Sequence, residues 1–338
     1  MKMKMKMKRL IGMLLATLGC TTLSWSQNTT PQAPPFLKPG DCIAVIAPAS
    51  SMTDSTINKG CAVLGKWGFD VVKGVNVNAK FHGWAGTDEQ RGADLLWALR
   101  DPKVKAIVCA RGGYGSSHLL CNMPIDTLQK YANKWIVGYS DITALHSGWV
   151  RAGHMSIHAN MLGRLAKTAG SDSLSQLLRQ LLLGKVPHYT VAGHRYNHPG
   201  RAQGILVGGN LSVMVGISGS ATYDFLDRDY LKNRDVILFF EDVGENISRV
   251  ASMLHQLMIK GALNRVKGVI VGHFTDYSPS HGYSDMQQML HDFLSQYDIP
   301  VCYDFPTSHD ENLNFPLIEG CPVTLDVKKE EVKLKFHL

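Results

Sequence analysis

Short, nearly continuous apolar runs recur along this chain, at residues 42–47, 104–109, 135–137, 236–240 and 269–271. Runs of this length, partly β-branched and bounded by glycine, proline or polar residues, predict strands buried on both faces. A different spacing fills the gaps between them. Residues 51–69 read as a helix. Residues 88–100 carry Leu95, Leu96 and Leu99 on one face; Thr87-Asp88-Glu89-Gln90 opens that helix as a capping box and Asp101-Pro102 closes it. Residues 142–152 read as a further helix, and Ile247, Val250, Leu254, Leu257 and Met258 recur at helical spacing. Strands alternating with helices predict an α/β fold with a mostly parallel sheet covered on both faces. Ligands of such sheets bind at the carboxyl ends of the strands, where Ser50, Ser116 and Asp141 all fall.

The pattern also divides the chain. Residues 27–40 hold four prolines and read as a linker. Residues 41–165 form a first domain. The rhythm weakens over residues 166–198, where a helix near 173–183 gives way to a polar, histidine-containing stretch, and this is the expected connection. Residues 199–338 form a second domain, whose alternating end, residues 324–338, is expected to close a small sheet.

Charge adds one feature. The net charge of +7 is concentrated at the N-terminus, where Lys2, Lys4, Lys6, Lys8 and Arg9 precede any acidic residue. Setting those five aside leaves 30 basic residues against 28 acidic ones. The basic balance is therefore a targeting feature and no argument for nucleic acid. An apolar stretch over residues 10–18 follows, too short to span a membrane, and the whole reads as a secretory signal over residues 1–26. Export to the periplasm or cell envelope is expected. Thr17-Leu18-Gly19-Cys20 offers a second exit, with Cys20 lipidated. The other six cysteines form no Cys-x-x-Cys pair, which argues against a zinc or redox motif; Cys42 and Cys109 lie in apolar runs and read as buried small hydrophobes.

The densest candidate chemistry is Arg111-Gly112-Gly113-Tyr114-Gly115-Ser116-Ser117-His118. A strand turning sharply into a helix leaves N–H groups free at the positive end of the helix dipole. Ser116 there is a candidate nucleophile beside oxyanion donors; the bland reading of the same glycines is a cradle for an anion without chemistry. Neither a Walker motif nor a Gly-x-Ser-x-Gly elbow is present. A serine nucleophile needs a base and the base an orienting carboxylate. Glu241, at the end of an apolar run, is the leading carboxylate, with Asp242 and Glu245 as competitors and Glu245 the better candidate for a plain helix cap. His309, in a loop after a strand, leads the histidines over His118, His158 and His273.

Six stretches in order now carry a resemblance. They are Ile46-Ala47-Pro48-Ala49-Ser50, Ala85-Gly86-Thr87-Asp88-Glu89-Gln90-Arg91, Ala110 to Ser116, Gly138-Tyr139-Ser140-Asp141-Ile142-Thr143, Gly208-Gly209-Asn210-Leu211 and Phe240-Glu241-Asp242-Val243-Gly244-Glu245. From about Leu37 onward the chain resembles the LD-carboxypeptidases, or muramoyltetrapeptide carboxypeptidases, and the related microcin C self-immunity proteins. The resemblance implies a serine peptidase with a Ser116–Glu241–His309 triad. It implies a Rossmann-like N-terminal domain, akin to class I glutamine amidotransferases, and a smaller swivelling β/α C-terminal domain. It further implies no metal or other cofactor, and a homodimer. The expected substrate is a peptidoglycan tetrapeptide, cleaved at the L,D-amide before its terminal D-alanine. In that scheme N–H groups at Ser117 and near Gly113 hold the oxyanion. Arg111, Asp141 and Asn210 orient loops or substrate, and glycine-loop amides or Ser140 receive the terminal carboxylate. The alternatives are hydrolysis of an acyl-adenylate-type toxin and non-catalytic muropeptide binding. Three positions depart from the family pattern: His118 stands for the usual arginine, Ser308-His309-Asp310 for a glycine-flanked histidine, and His158-Ala159-Asn160-Met161 for His-Gly-Pro-Met.

Overall fold

A computed structural model describes residues 30–338. The expected signal over residues 1–26, and Cys20 within it, lie outside the described residues. The first half supplies β1 (Cys42–Ile46), β2 (Asp70–Lys73), β3 (Val104–Cys109), β4 (Trp135–Gly138) and β5 (Ser156–His158). The second half supplies β6 (His188–Ala192), β7 (Gly200–Asn210), β8 (Val236–Val243), β9 (Gly268–Thr275), β10 (Val301–Cys302), β11 (Leu317–Glu319), β12 (Pro322–Val327) and β13 (Glu331–Phe336).

Two sheets result. The first runs β11-β5-β4-β3-β1-β2, parallel from β5 to β2. The second runs β10-β9-β8-β7-β12-β13-β6, parallel over its first four strands and antiparallel over the rest. The continuous apolar runs become β1, β3 and β4 of the first parallel set and β8 and β9 of the second, each almost wholly buried. In the first sheet the chain turns one way from β1 to β2 and the other way to β3. That reversal leaves a crevice at the carboxyl ends of β1 and β3. There Ser50 meets Gly113: a Cβ on Gly113 would lie 2.1 Å from Ser50 Oγ.

The capping box forms as expected, with Thr87 Oγ1 accepting from Gln90 N–H and Gln90 Oε1 accepting from Thr87 N–H. The next cap does not: Asn246, not Glu245, caps the helix Ile247–Ile259. Three strands escaped the sequence pattern, β5 among them. In β6 the one buried side chain is Tyr189, so its alternation was lost among histidine and threonine. β11 is three residues long, and it leaves the second half to pair antiparallel with β5 in the first sheet. One apolar core accordingly runs across both halves, from Val45, Val108 and Val137 to Ile237, Phe239 and Leu325. The proline-rich segment, where described, is packed down. Leu37 is buried, Phe36 stacks on Trp135 at 5.5 Å, and Trp135 Nε1 donates to Pro35 O at 3.1 Å. Proline lacks an N–H, so this stretch lies along the core with fewer donors to satisfy. Among the cysteines, Cys109 is buried as expected while Cys42 is half-buried, and none of the six described is paired.

Candidate active site

Two strand ends and one loop converge here. β8 carries Glu241 two residues before its end, at a shift of register between Phe240 and Asp242. A bulge of this kind turns a side chain out of strict alternation. It aims the Glu241 carboxylate at His309, whose Nδ1 donates to Oε2 at 2.5 Å. Glu241 is fully buried, and its Oε1 has no hydrogen-bond partner among the described residues. Gly272 of β9 makes room beside it, since a Cβ there would lie 3.0 Å from Glu241 Cβ and 2.4 Å from Thr307 O.

His309 lies in the loop after β10, and the first half of the chain holds that loop. Asn160 Nδ2 donates to Glu311 O at 2.9 Å, Asn314 Nδ2 to Asn160 Oδ1 at 3.1 Å, and Arg164 to Asn312 Oδ1 at 3.1 Å. Asp310 does not pair with the base; its carboxylate accepts from Asn312 within the loop. Burial opposes a charged imidazole at His309. The Glu241 charge and hydrogen bond, joined by Asp242 and Asp276, outweigh it and raise the His309 pKa above its ordinary value.

The far side of the ring meets an unexpected serine. His309 Nε2 accepts from Ser140 Oγ at 2.8 Å. Ser140 follows β4 and opens the turn into the helix Thr143–Arg151. Its φ is +64°, a left-handed value that side-chain-bearing residues seldom take. The turn is tight on both sides. A Cβ on Gly138 would lie 2.8 Å from Ile142, and one on Gly112 would lie 2.9 Å from Ser140 Cβ and 3.1 Å from its Oγ. The glycine loop therefore lies against the Ser140 hydroxyl. The N–H groups of Gly112 and Gly113 have no hydrogen-bond partner among the described residues.

Ser116, the expected nucleophile, does not face His309 in this structure. Ser116 is fully buried, its hydroxyl donates to Asp141 O, and its N–H donates to Asp141 Oδ2 at 2.8 Å. Of the two serines, His309 is hydrogen-bonded to Ser140. Ser140 was expected to receive a substrate carboxylate; its hydroxyl faces the base instead. Glycines alone suggested an elbow at Ser116, but the helix they open points its first N–H at Asp141. Ser117, one position further along the same helix, makes no hydrogen bond to Ser140 or His309.

Asp141 thus fastens the glycine loop to the turn that bears Ser140. Burial raises its pKa, against the hydrogen bonds from Ser116. Asn210 also positions elements. Its side chain caps the helix Leu211–Gly216 and donates to Asp242 Oδ1 at 2.9 Å, while its N–H donates to Thr143 Oγ1 at 3.0 Å. Asp242 takes further N–H groups from Ser212 and Val243; burial first, then the neighbouring Glu241 charge, pushes its pKa up to about 6. Arg111 is exposed at the rim, with Nη1 3.5 Å from Ser51 O. The rival histidines stand apart from Glu241. His118 pairs with Asp88 at 3.3 Å, His273 approaches Asp304 at 3.9 Å, and His158 is buried with Nε2 3.3 Å from Thr307 Oγ1. Among the described residues, no group of three or more His, Cys, Asp or Glu could hold a metal ion, and no helix is long and apolar enough to cross a membrane.

Residues 43–159 match the model of the LD-carboxypeptidase N-terminal domain, and residues 203–325 that of the C-terminal domain. The murein tetrapeptide carboxypeptidase of Pseudomonas aeruginosa is 30% identical, over 79% of this chain and 87% of that protein. The crystal structure of muramoyltetrapeptide carboxypeptidase from Oxalobacter formigenes superposes with a TM-score of 0.77 at 27% identity, covering 88% of this chain and 99% of that one. The microcin C7 self immunity protein MccF shares the fold, with a TM-score of 0.76 at 21% identity over 90% of this chain and 98% of that one.

Proposed function

The chain belongs to the LD-carboxypeptidase family, and from that premise we propose that it is a serine-type carboxypeptidase acting on peptidoglycan tetrapeptides, with Ser140 as nucleophile, His309 as base and Glu241 as the residue that orients the base. The observation that carries this reading is one imidazole bonded on both sides: Nδ1 to Glu241 at 2.5 Å and Nε2 to Ser140 at 2.8 Å. With the Nδ1 proton committed to Glu241, Nε2 presents its lone pair to the hydroxyl. His309 takes the Ser140 proton as Oγ attacks the amide carbon, and later returns it to the leaving amine. The carbonyl oxygen gains charge in that step and needs donors. The free N–H groups of Gly112 and Gly113, in the loop that lies against Ser140, are the candidates for this role, so the glycine loop acts as the cradle and Ser140 as the attacker. Arg111 at the rim is the candidate partner for the terminal carboxylate.

The leaving group is D-alanine, and the bond lies between the L-centre of a diamino acid and that residue. The test is incubation of purified protein with a tetrapeptide and with its C-terminal amide. D-alanine is expected from the free acid, while the amidated peptide stays intact because it offers no carboxylate to anchor. Equal turnover of both would remove the exopeptidase reading. Intact tetrapeptide, bound but uncleaved, would favour a muropeptide-binding protein. The signal read over residues 1–26 supports export of this activity to the envelope, and a dimer is the expected assembly.

The cradle makes its own prediction. Gly113 has φ +119°, and a methyl group there would strike Ser50. Gly113→Ala is expected to lower kcat by roughly a hundredfold or more through displaced donors, and to destabilise the fold by about 1–3 kcal/mol. Steady-state kinetics beside a thermal melt separates the two effects.

A further inference from the structure

Behind the turn that bears Ser140 lies a second serine–histidine–glutamate group that the chemistry above does not use. His146 is on the helix Thr143–Arg151, Ser156 opens β5 and Glu319 ends β11; all three are fully buried. His146 Nε2 lies 2.9 Å from the Gly138 carbonyl oxygen, and Nδ1 lies 2.8 Å from Ser156 Oγ. A carbonyl can only accept, so Nε2 bears the proton and Nδ1 accepts from the Ser156 hydroxyl. Glu319 Oε1 is 3.8 Å from Nδ1, beyond hydrogen-bond reach, and neither carboxyl oxygen has a partner among the described residues. An ionised carboxylate facing an imidazole lone pair there would be costly. Burial drives both groups neutral, the Glu319 carboxyl well above its usual range and the His146 imidazole down to about 4. The group is thus a neutral hydrogen-bonded strut, not a second site of proton transfer.

Its free end grips a sensitive point. Gly138 lies two residues before Ser140, and its carbonyl also accepts from Ala159 N–H at 3.0 Å. Ser140 holds a left-handed conformation that persists only where its surroundings over-determine it. A glycine just upstream is the joint through which such a turn would relax.

We infer that His146 is a positioning residue: by clamping the Gly138 carbonyl, with its own tautomer fixed by Ser156, it holds the Ser140 hydroxyl in line with His309. This rests on the reading of Ser140 as nucleophile. One wall of the clamp, Glu319, comes from the far end of the chain.

The test measures kcat and KM on a tetrapeptide, together with phosphonylation of Ser140 by a small fluorophosphonate, which needs no peptide binding. His146→Leu is expected to lower kcat and the phosphonylation rate in parallel, by roughly 30- to 100-fold. KM and the acid limb of the pH profile should not move, because neither the rim nor the His309–Glu241 pair is touched. His146→Gln, whose amide can donate to Gly138 and accept from Ser156, should recover most of the loss. Overturning results are an unchanged kcat in His146→Leu, a loss that falls on KM, or a folded His146→Gln no better than His146→Leu. Should His146→Leu fail to fold, Ser156→Ala decides: a several-fold drop in kcat, the size expected for one hydrogen bond, supports the clamp, and an unchanged kcat overturns it. An inactive Ser140→Ala beside a fully active His146→Leu defeats the clamp alone. An active Ser140→Ala defeats the nucleophile assignment and the clamp with it.

Discussion

Replacing Ser140 by alanine is expected to abolish D-alanine release, lowering kcat by roughly a millionfold, while Ser116→Ala stays within about tenfold of the parent. The two serines make a sharp comparison because each sits at a glycine-rich turn from strand to helix. Ser140→Ala removes the atom that attacks and takes nothing from the core, so the melting temperature should hold. Ser116→Ala does the reverse. It removes one donor from a buried carbonyl, Asp141 O, which keeps the Thr143 N–H, at an expected cost of about 1 kcal/mol. The backbone bond from Ser116 N–H to Asp141 survives, so the glycine loop stays fastened to the turn. Kinetics and melts on both variants decide the assignment. An inactive Ser116→Ala with a normal melt, beside an active Ser140→Ala, would return the nucleophile to the glycine loop.

That comparison also marks where the sequence could be read and where it could not. The apolar strands and the capping box followed from local pattern, because a cap and an apolar run are written in neighbouring residues, and the leading carboxylate and histidine of that pattern, Glu241 and His309, lie in hydrogen-bond contact. The serine facing the base did not follow from local pattern. Three glycines in four residues look like a sharp elbow, but the tighter turn is built with a single glycine, Gly138, and with Ser140 at positive φ. A left-handed serine leaves no trace in composition. What was present was the same strand–turn–helix order at residues 135–152, without a glycine cluster to draw the eye. The departure at Asn160 likewise had a meaning that no local reading supplies, since it holds the His309 loop from 151 residues away. β11 failed for a related reason: Leu317, Ile318 and Glu319 are too few for a pattern, and their partner strand lies in the other half of the chain.

Glu241→Gln separates the geometric from the electrostatic part of the triad. Glutamine can still meet Nδ1, but through either its oxygen or its amide, so the tautomer of His309 is no longer dictated; the plateau of kcat/KM is expected to drop by roughly a thousand- to ten-thousandfold. The position of the acid limb should move as well. In the parent, His309 must be neutral to accept the Ser140 proton, and its pKa is raised, so activity falls with decreasing pH from a point above the ordinary 6.5. Burial alone pulls that pKa down. Removing Glu241 takes away the strongest opposing influence and leaves only Asp242 and Asp276, so the limb shifts to lower pH. Asp242 shifts with it, because the Glu241 charge is part of what lifts its pKa to about 6. Linkage fixes the sign for stability. A raised histidine pKa stabilises the fold fully below the unfolded value, and that contribution is lost as pH climbs through the folded one. The melting temperature gap between parent and Glu241→Gln should accordingly be widest in mild acid and narrow toward alkaline pH. A gap that widens with pH, or an acid limb that stays in place, would show that Glu241 does not govern the charge on His309.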